Sequence, residues 1–120
     1  ARRFYVAHDC GQVIAPDLLR QTLEGQIVQT ASRALHEEVM FDNKGVTSVD
    51  WTSYPILDIK DAPEAIEIVL IDRPELPPVG AGEATCRPTA AAIANAIFDA
   101  TGIRLRRAPF TPERLKAGMA

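Results

Sequence analysis

Gly80-Ala81-Gly82-Glu83 sets a carboxylate at the end of a glycine-rich loop, just ahead of a helix-forming stretch that opens near Pro88. An acid so placed has two chemistries open to it. Near a helix N-terminus the dipole stabilises a carboxylate by about 0.3–1 kcal/mol, and that alone accounts for many such acids. If Val79, Ala81 and Ala84 instead keep Glu83 dry, its pKa rises toward neutrality and it becomes a general base at working pH. Gly80 and Gly82 would then let the backbone approach a ligand closely. Spacing by itself favours the plain helix-entry acid, because no histidine, serine or second acid stands beside Glu83 to complete a triad or a carboxylate pair.

Other chemistry-bearing residues point to structure. His8, Asp9 and Cys10 are adjacent, so on an extended chain they face alternate sides and cannot converge on one metal; a turn is expected there. His36-Glu37-Glu38 has no second histidine four positions on and reads as a solvated helix end. Cys10 and Cys86 lack the paired spacing of a zinc site and are expected to be free thiols. Arg104, Arg106 and Arg107 alternate with Ile103 and Leu105 as in an edge strand with a solvated face, while Trp51 and Tyr54 read as core and rim aromatics.

The elements that must position these residues follow from periodicity. Phe4-Tyr5-Val6 and Val13-Ile14 predict two short strands around a turn at Gly11. Pro16-Asp17 opens a long amphipathic helix running through residues 18–38, with Leu19, Leu23, Ile27, Ala31, Ala34 and Leu35 at three-and-four spacing. Gly25 inside it costs about 1 kcal/mol relative to alanine, which predicts close packing at that point. Gln21, Gln26, Gln29 and Ser32 form either a second contact surface or a wet face. Residues 39–52 predict a hairpin turning at Gly45, and Pro55 and Pro63 bracket an extended loop.

Ile66, Ile68 and Leu70 alternate with Glu67 and Val69 as a clear strand, and three prolines with two glycines exclude regular structure from residues 73–82. An alanine-rich helix follows over residues 88–101, apolar nearly all round and so expected to be buried on most sides, with Gly102 as its left-handed cap. Thr111-Pro112-Glu113 begins a last short helix. The order predicts an α+β fold, a small mixed or antiparallel sheet covered by two main helices.

With 120 residues, 47% of them hydrophobic and 24% charged, residues 1–120 are expected to form one small domain. A net charge of −3 gives no electrostatic footprint for DNA or RNA, so no nucleic-acid partner is expected. No apolar run approaches the roughly 20 residues of a membrane span. Ala1-Arg2-Arg3 enters strand-like sequence without an initiator methionine, as an excised piece of a longer protein would.

Five segments occur in a recognisable order: Asp9-Cys10-Gly11; Leu23-Glu24-Gly25-Gln26-Ile27-Val28-Gln29; Ala34-Leu35-His36-Glu37-Glu38; Gly80-Ala81-Gly82-Glu83; and the stretch from Ala91 to Gly102. Together they resemble the C-terminal part of the molybdopterin-binding large subunit of the xanthine dehydrogenase and aldehyde oxidase family. The pattern is nearest to the bacterial branch with isoquinoline 1-oxidoreductase, nicotinate dehydrogenase and membrane-associated aldehyde dehydrogenases.

The resemblance implies a fragment of a larger molybdopterin-binding domain, in an enzyme that oxidises an aldehyde or an N-heteroaromatic ring with water-derived oxygen. By the same resemblance Glu83 is the general base, Gly80 and Gly82 border the cofactor, and Gln21 and Thr22 stand where many relatives carry a cofactor-contacting glutamine. Ala84-Thr85-Cys86 replaces the proline that often follows the glutamate. The implied cofactor is molybdenum-molybdopterin in the full-length enzyme, with no metal ligand and no activity expected from this piece alone. Implied partners are the remainder of the large subunit, a [2Fe-2S] small subunit and, in this branch, often a c-type cytochrome, besides the small-molecule substrate. The rival expectation is a stand-alone interaction or assembly module in which Glu83 only caps a helix.

Overall fold

The structure, a computed structural model, describes residues 1–119. Strand β1 (Arg3–Asp9) lies beside β4 (Ala65–Ile71) in parallel, with Arg3 opposite Ala65 and Asp9 opposite Ile71. A parallel pair requires a long crossover. Here the crossover holds helix α1 (Pro16–Leu35), the small antiparallel hairpin of β2 (Phe41–Asp42) and β3 (Gly45–Val46), and a 3-10 turn at Ile59–Asp61. Helix α2 (Cys86–Thr101) and the short α3 (Pro112–Ala117) complete the order. The α+β class and the two main helices stand as predicted, but the sheet is two separate two-stranded pieces, one parallel and one antiparallel.

Period-2 burial on the strands makes the inner face. Phe4, Val6 and His8 of β1 and Ile66, Ile68 and Leu70 of β4 turn inward, while Tyr5, Glu67 and Val69 face out. Helix α1 meets that face and α2 with Leu23, Gln26, Ile27, Thr30, Ala31 and Ala34, a three-and-four stripe in which Leu23 and Ile27 are fully buried. Ala31 and Ala34 of α1 pack with Ile93 of α2, and Phe4, Leu35, Ile97 and Phe110 close around them. The C-terminal stretch is tied to the end of α1: Phe110 N–H donates to the Ala34 carbonyl at 2.7 Å, and Glu38 pairs with Arg107 at 2.8 Å and Arg114 at 2.7 Å. Those guanidinium hydrogen bonds, Arg114 first, hold the Glu38 carboxyl below its usual pKa.

Several local expectations are corrected. Val13-Ile14 is a bend, not a strand, because Val13 N–H is taken by the Asp72 carboxylate at 3.0 Å. The second hairpin arm stops at Val46; Asp50 then accepts from Thr52 N–H, Ser53 N–H and Ser53 Oγ, a turn that halts extension. Trp51 is 77% exposed and no core residue, whereas Tyr54 is half-buried and donates its hydroxyl to Glu37 at 2.7 Å. His36-Glu37-Glu38 is therefore a bonded helix end, not a solvated one.

Residues 103–107 form no strand: the Arg104 guanidinium stacks 3.9 Å from the Phe98 ring centroid and bonds Asn95 at 2.7 Å. Helix α2 starts at Cys86, two residues before the predicted Pro88, which stays within the first turn where its missing N–H costs nothing. It is buried only along Thr89 and Ile93, leaving Ala91, Ala92, Ala96 and Ala100 exposed. Gly102 caps it in the left-handed conformation, φ +74°, donating to Phe98. A Cβ on Gly25 would meet nothing within 4 Å, so packing within this chain does not explain that glycine.

Candidate functional site

The proline-rich segment before the glycine loop has no regular structure of its own and is held by the turn after β1. Asp9 Oδ1 accepts from Gly11 N–H at 3.1 Å, curling the chain so that Gly11 takes φ +73°. Cys10-Gly11-Gln12 then bonds the segment along its length: Gln12 N–H to the Leu76 carbonyl at 3.2 Å, Val79 N–H to the Cys10 carbonyl at 2.9 Å, and Arg73 N–H to the Gly11 carbonyl at 3.2 Å. The other Asp9 oxygen pairs with Arg73 at 3.0 Å. The expected His8-Asp9-Cys10 turn is thus strand end plus docking turn, and the three side chains do not converge: His8 and Cys10 are buried while Asp9 is exposed.

Beyond Val79 the loop is caught from the other side by Gln26 of α1. Its carboxamide donates to the Ala81 and Gly82 carbonyls at 2.7 Å each and accepts from Thr85 N–H at 2.8 Å. The Thr85 hydroxyl lies 2.8 Å from the same carboxamide oxygen and 3.1 Å from the Leu23 carbonyl. The sequence leaves Gln26 on either a contact surface or a wet face and does not join it to the loop. A buried glutamine on the stripe shared with Leu23 and Ile27 was the available signal, since a buried carboxamide must find partners.

Glu83 stands between these ties, three residues ahead of the first residue of α2, with its side chain exposed to solvent. The dry surroundings expected for it are not built by this chain: Val79 is 62% exposed, and Ala81 and Ala84 are only half-buried. A Cβ on Gly80 or Gly82 would meet nothing within 4 Å, so this chain's own packing does not require either glycine. Thr22, Ala81, Gly82, Val79 and Cys10 line one open cleft of about 360 Å³. Gln21 is exposed, and the pair read from the sequence is split, because Thr22 lies one turn from Gln26 on the same face whereas Gln21 lies about 140° round the helix from it. Among the described residues no three His, Cys, Asp or Glu side chains gather as a metal site.

The profile of the molybdopterin cofactor-binding domain matches residues 1–63, which include β1, the docking turn and all of α1. The chain belongs to this family. Its relatives are the large subunits of xanthine dehydrogenase and aldehyde oxidoreductase type. The chain is 44% identical over 117 residues to a nicotinate dehydrogenase subunit from Pseudomonas putida, covering 98% of this chain and 10% of that one.

The fold extends the match past residue 63. Quinoline 2-oxidoreductase from Pseudomonas putida 86 superposes with a TM-score of 0.84 at 26% identity, over 96% of this chain and 16% of that chain. Aldehyde oxidoreductase from Desulfovibrio gigas superposes at 0.81 and 29% identity, over 97% of this chain and 13% of that one. The chain therefore spans roughly a tenth to a sixth of the molybdenum hydroxylases it matches. Open positions at Gly80 and Gly82, the cleft at Thr22 and the exposed Glu83 carboxylate leave backbone and a carboxylate free to border a molybdopterin group, as one wall of its site would. They do not offer a cage of metal ligands.

Proposed function

We propose that the chain forms the general-base wall of a molybdenum hydroxylase active site and that Glu83 is the base. In this reading residues 1–120 act as one domain of the large subunit, and the enzyme oxidises an aldehyde or an N-heteroaromatic ring with water-derived oxygen. The carrying observation is a carboxylate held outward on a loop tied at both ends, by Cys10 and by Gln26, in a chain of this family. The bound group supplies two-electron redox chemistry. This chain's residues do the rest: Gly80 and Gly82 leave room for the backbone to lie against the group, Thr22 borders the same cleft, and Glu83 accepts a proton from the water-derived oxygen.

An exposed carboxylate is a poor base at neutral pH because water stabilises its charge. The remainder of the large subunit would have to cover Glu83 and dry it, which is the role proposed for that partner. Electrons would leave to a [2Fe-2S] small subunit and a c-type cytochrome. In the full enzyme, Glu83→Gln keeps the side chain's shape and removes the proton acceptor, so turnover falls by about 100-fold or more with molybdenum content unchanged. Turnover at the parent rate would favour the interaction module, in which Glu83 only precedes a helix.

A further inference from the structure

We infer that Gln26 is the positioning residue for Glu83, acting through the loop main chain; the inference rests on reading Glu83 as the base. Gln26 is 7% exposed, and its hydrogen-bonding capacity is spent on one short stretch. Two N–H groups reach the Ala81 and Gly82 carbonyls at 2.7 Å, and the carbonyl oxygen faces the Thr85 N–H and hydroxyl at 2.8 Å. A carboxamide has two donor hydrogens and two acceptor lone pairs, so nothing is left for a ligand. These bonds straddle Glu83. The Gly82 carbonyl belongs to the peptide that joins Gly82 to Glu83, and the Thr85 N–H ends the peptide after Ala84.

The arc from Gly82 to Thr85 is therefore tied at both ends to one side chain on a helix. On the upstream side Val79 N–H is held by the Cys10 carbonyl at 2.9 Å, which leaves Gly80 as the free joint between the two ties. Glycine's wide φ/ψ range would let an untied loop swing. A general base must stand within about 2.6–3.2 Å of its proton. A misplacement of about 1 Å costs on the order of 100-fold in rate.

A purely structural role for Gln26 is the competing account, and the contacts separate the two. Packing of α1 against α2 is carried by Ala31, Ala34 and Ile93, with Leu23 and Ile27 buried alongside. The Thr85 hydroxyl keeps the Leu23 carbonyl as an acceptor at 3.1 Å without Gln26. What only Gln26 supplies is the grip on Ala81, Gly82 and the Thr85 N–H. Gln26→Glu preserves shape and the Thr85 acceptor but sets a carboxylate oxygen against two carbonyls. Gln26→Leu removes every bond.

The test uses the full enzyme with its cofactor and measures both Gln26 variants, alone and combined with Glu83→Gln. Each single variant should lose about 100-fold in kcat with KM little changed and molybdenum content normal. Each double variant should fall no further than Glu83→Gln alone, because misplacing a base already removed has no further effect. Hydrogen-deuterium exchange should quicken over residues 81–85 while residues 23–34 and 89–101 keep their protection. Losses that multiply in the double variants, unchanged kcat in the single ones, or unchanged exchange over residues 81–85 would each overturn the inference. If Gln26→Leu fails to fold, the same outcomes are read from Gln26→Glu. Parent-rate turnover in Glu83→Gln sinks the base reading instead, and the exchange measurement still decides whether Gln26 grips the loop.

Discussion

Gly11 and Pro77 touch so closely that a Cβ built on Gly11 would stand 2.3 Å from the Pro77 carbonyl oxygen and 3.1 Å from its carbon. The obstacle is backbone, so no side chain can swing aside. Gly11→Ala adds left-handed strain of about 1–2 kcal/mol at φ +73° on top of that overlap. Stability should fall by more than about 1 kcal/mol in urea denaturation, and the Val79 and Gln12 amides should exchange faster as the segment lifts off. Unchanged exchange at those two amides would mean that the docking turn does not hold the loop.

Glu38 ties the C-terminal stretch to α1 with a pH-dependent bond. Its folded-state pKa lies below the usual 4.5, mainly through Arg114 and then Arg107. A depressed carboxyl pKa stabilises the fold above the unfolded value, and that contribution drains as pH falls through the folded value. Melting temperature in the parent should therefore drop as pH is lowered below 4.5, and Glu38→Gln should melt lower at neutral pH while losing less on acidification. Parallel melting curves for the two proteins across that window would contradict the assignment.

Leu23 and Trp51 make an informative pair, since both are large and apolar yet Leu23 is 0% exposed and Trp51 77%. Leu23→Ala should cost about 2–5 kcal/mol through lost burial and a cavity beneath Gln26. Trp51→Ala should stay within about 0.5 kcal/mol. Chemical denaturation of the two variants orders them, and a larger loss at Trp51 would place that ring against a surface outside this chain.

Glu83→Asp keeps the charge and withdraws the carboxylate by one methylene, roughly 1.5 Å. If reach is what matters, kcat in the full enzyme falls on the order of 100-fold while molybdenum content holds. Activity close to the parent level would show that charge near the loop suffices, without the position that Gln26 enforces.

How far the sequence could be read differs from element to element. The stripe of Leu23, Ile27, Ala31 and Ala34, the alternation at Ile66, Ile68 and Leu70, and the left-handed Gly102 are each recorded within a few residues, and all three appear in the fold. Expectations failed where a specific side-chain contact intervened, near in sequence at Asp50 and Arg104 and far in sequence at Asp72. Asp50 captures three donors and ends the hairpin, Asp72 takes Val13 N–H, and Arg104 prefers the Phe98 ring to a strand. The bare outer face of α2 misled for another reason: its alanines suit burial, but nothing among the described residues covers them.

For Glu83, the sequence by itself determined the residue type, the glycines before it, the helix after it and, through five motifs in order, the family. It also determined that Gln21 and Gln26 share a helix. Only the tertiary structure decided which of them meets the loop, because five residues at about 100° each set the two about 140° apart, and docking of α1 selects one face. The parallel register of β1 with β4, and the Gln26 bonds to residues 55 to 59 positions away, lie beyond any local period. Such contacts form only when long loops close, and the free energy that closes them comes from the burial of Leu23 and Ile27 and from Ala31 and Ala34 packing with Ile93 rather than from the loop itself.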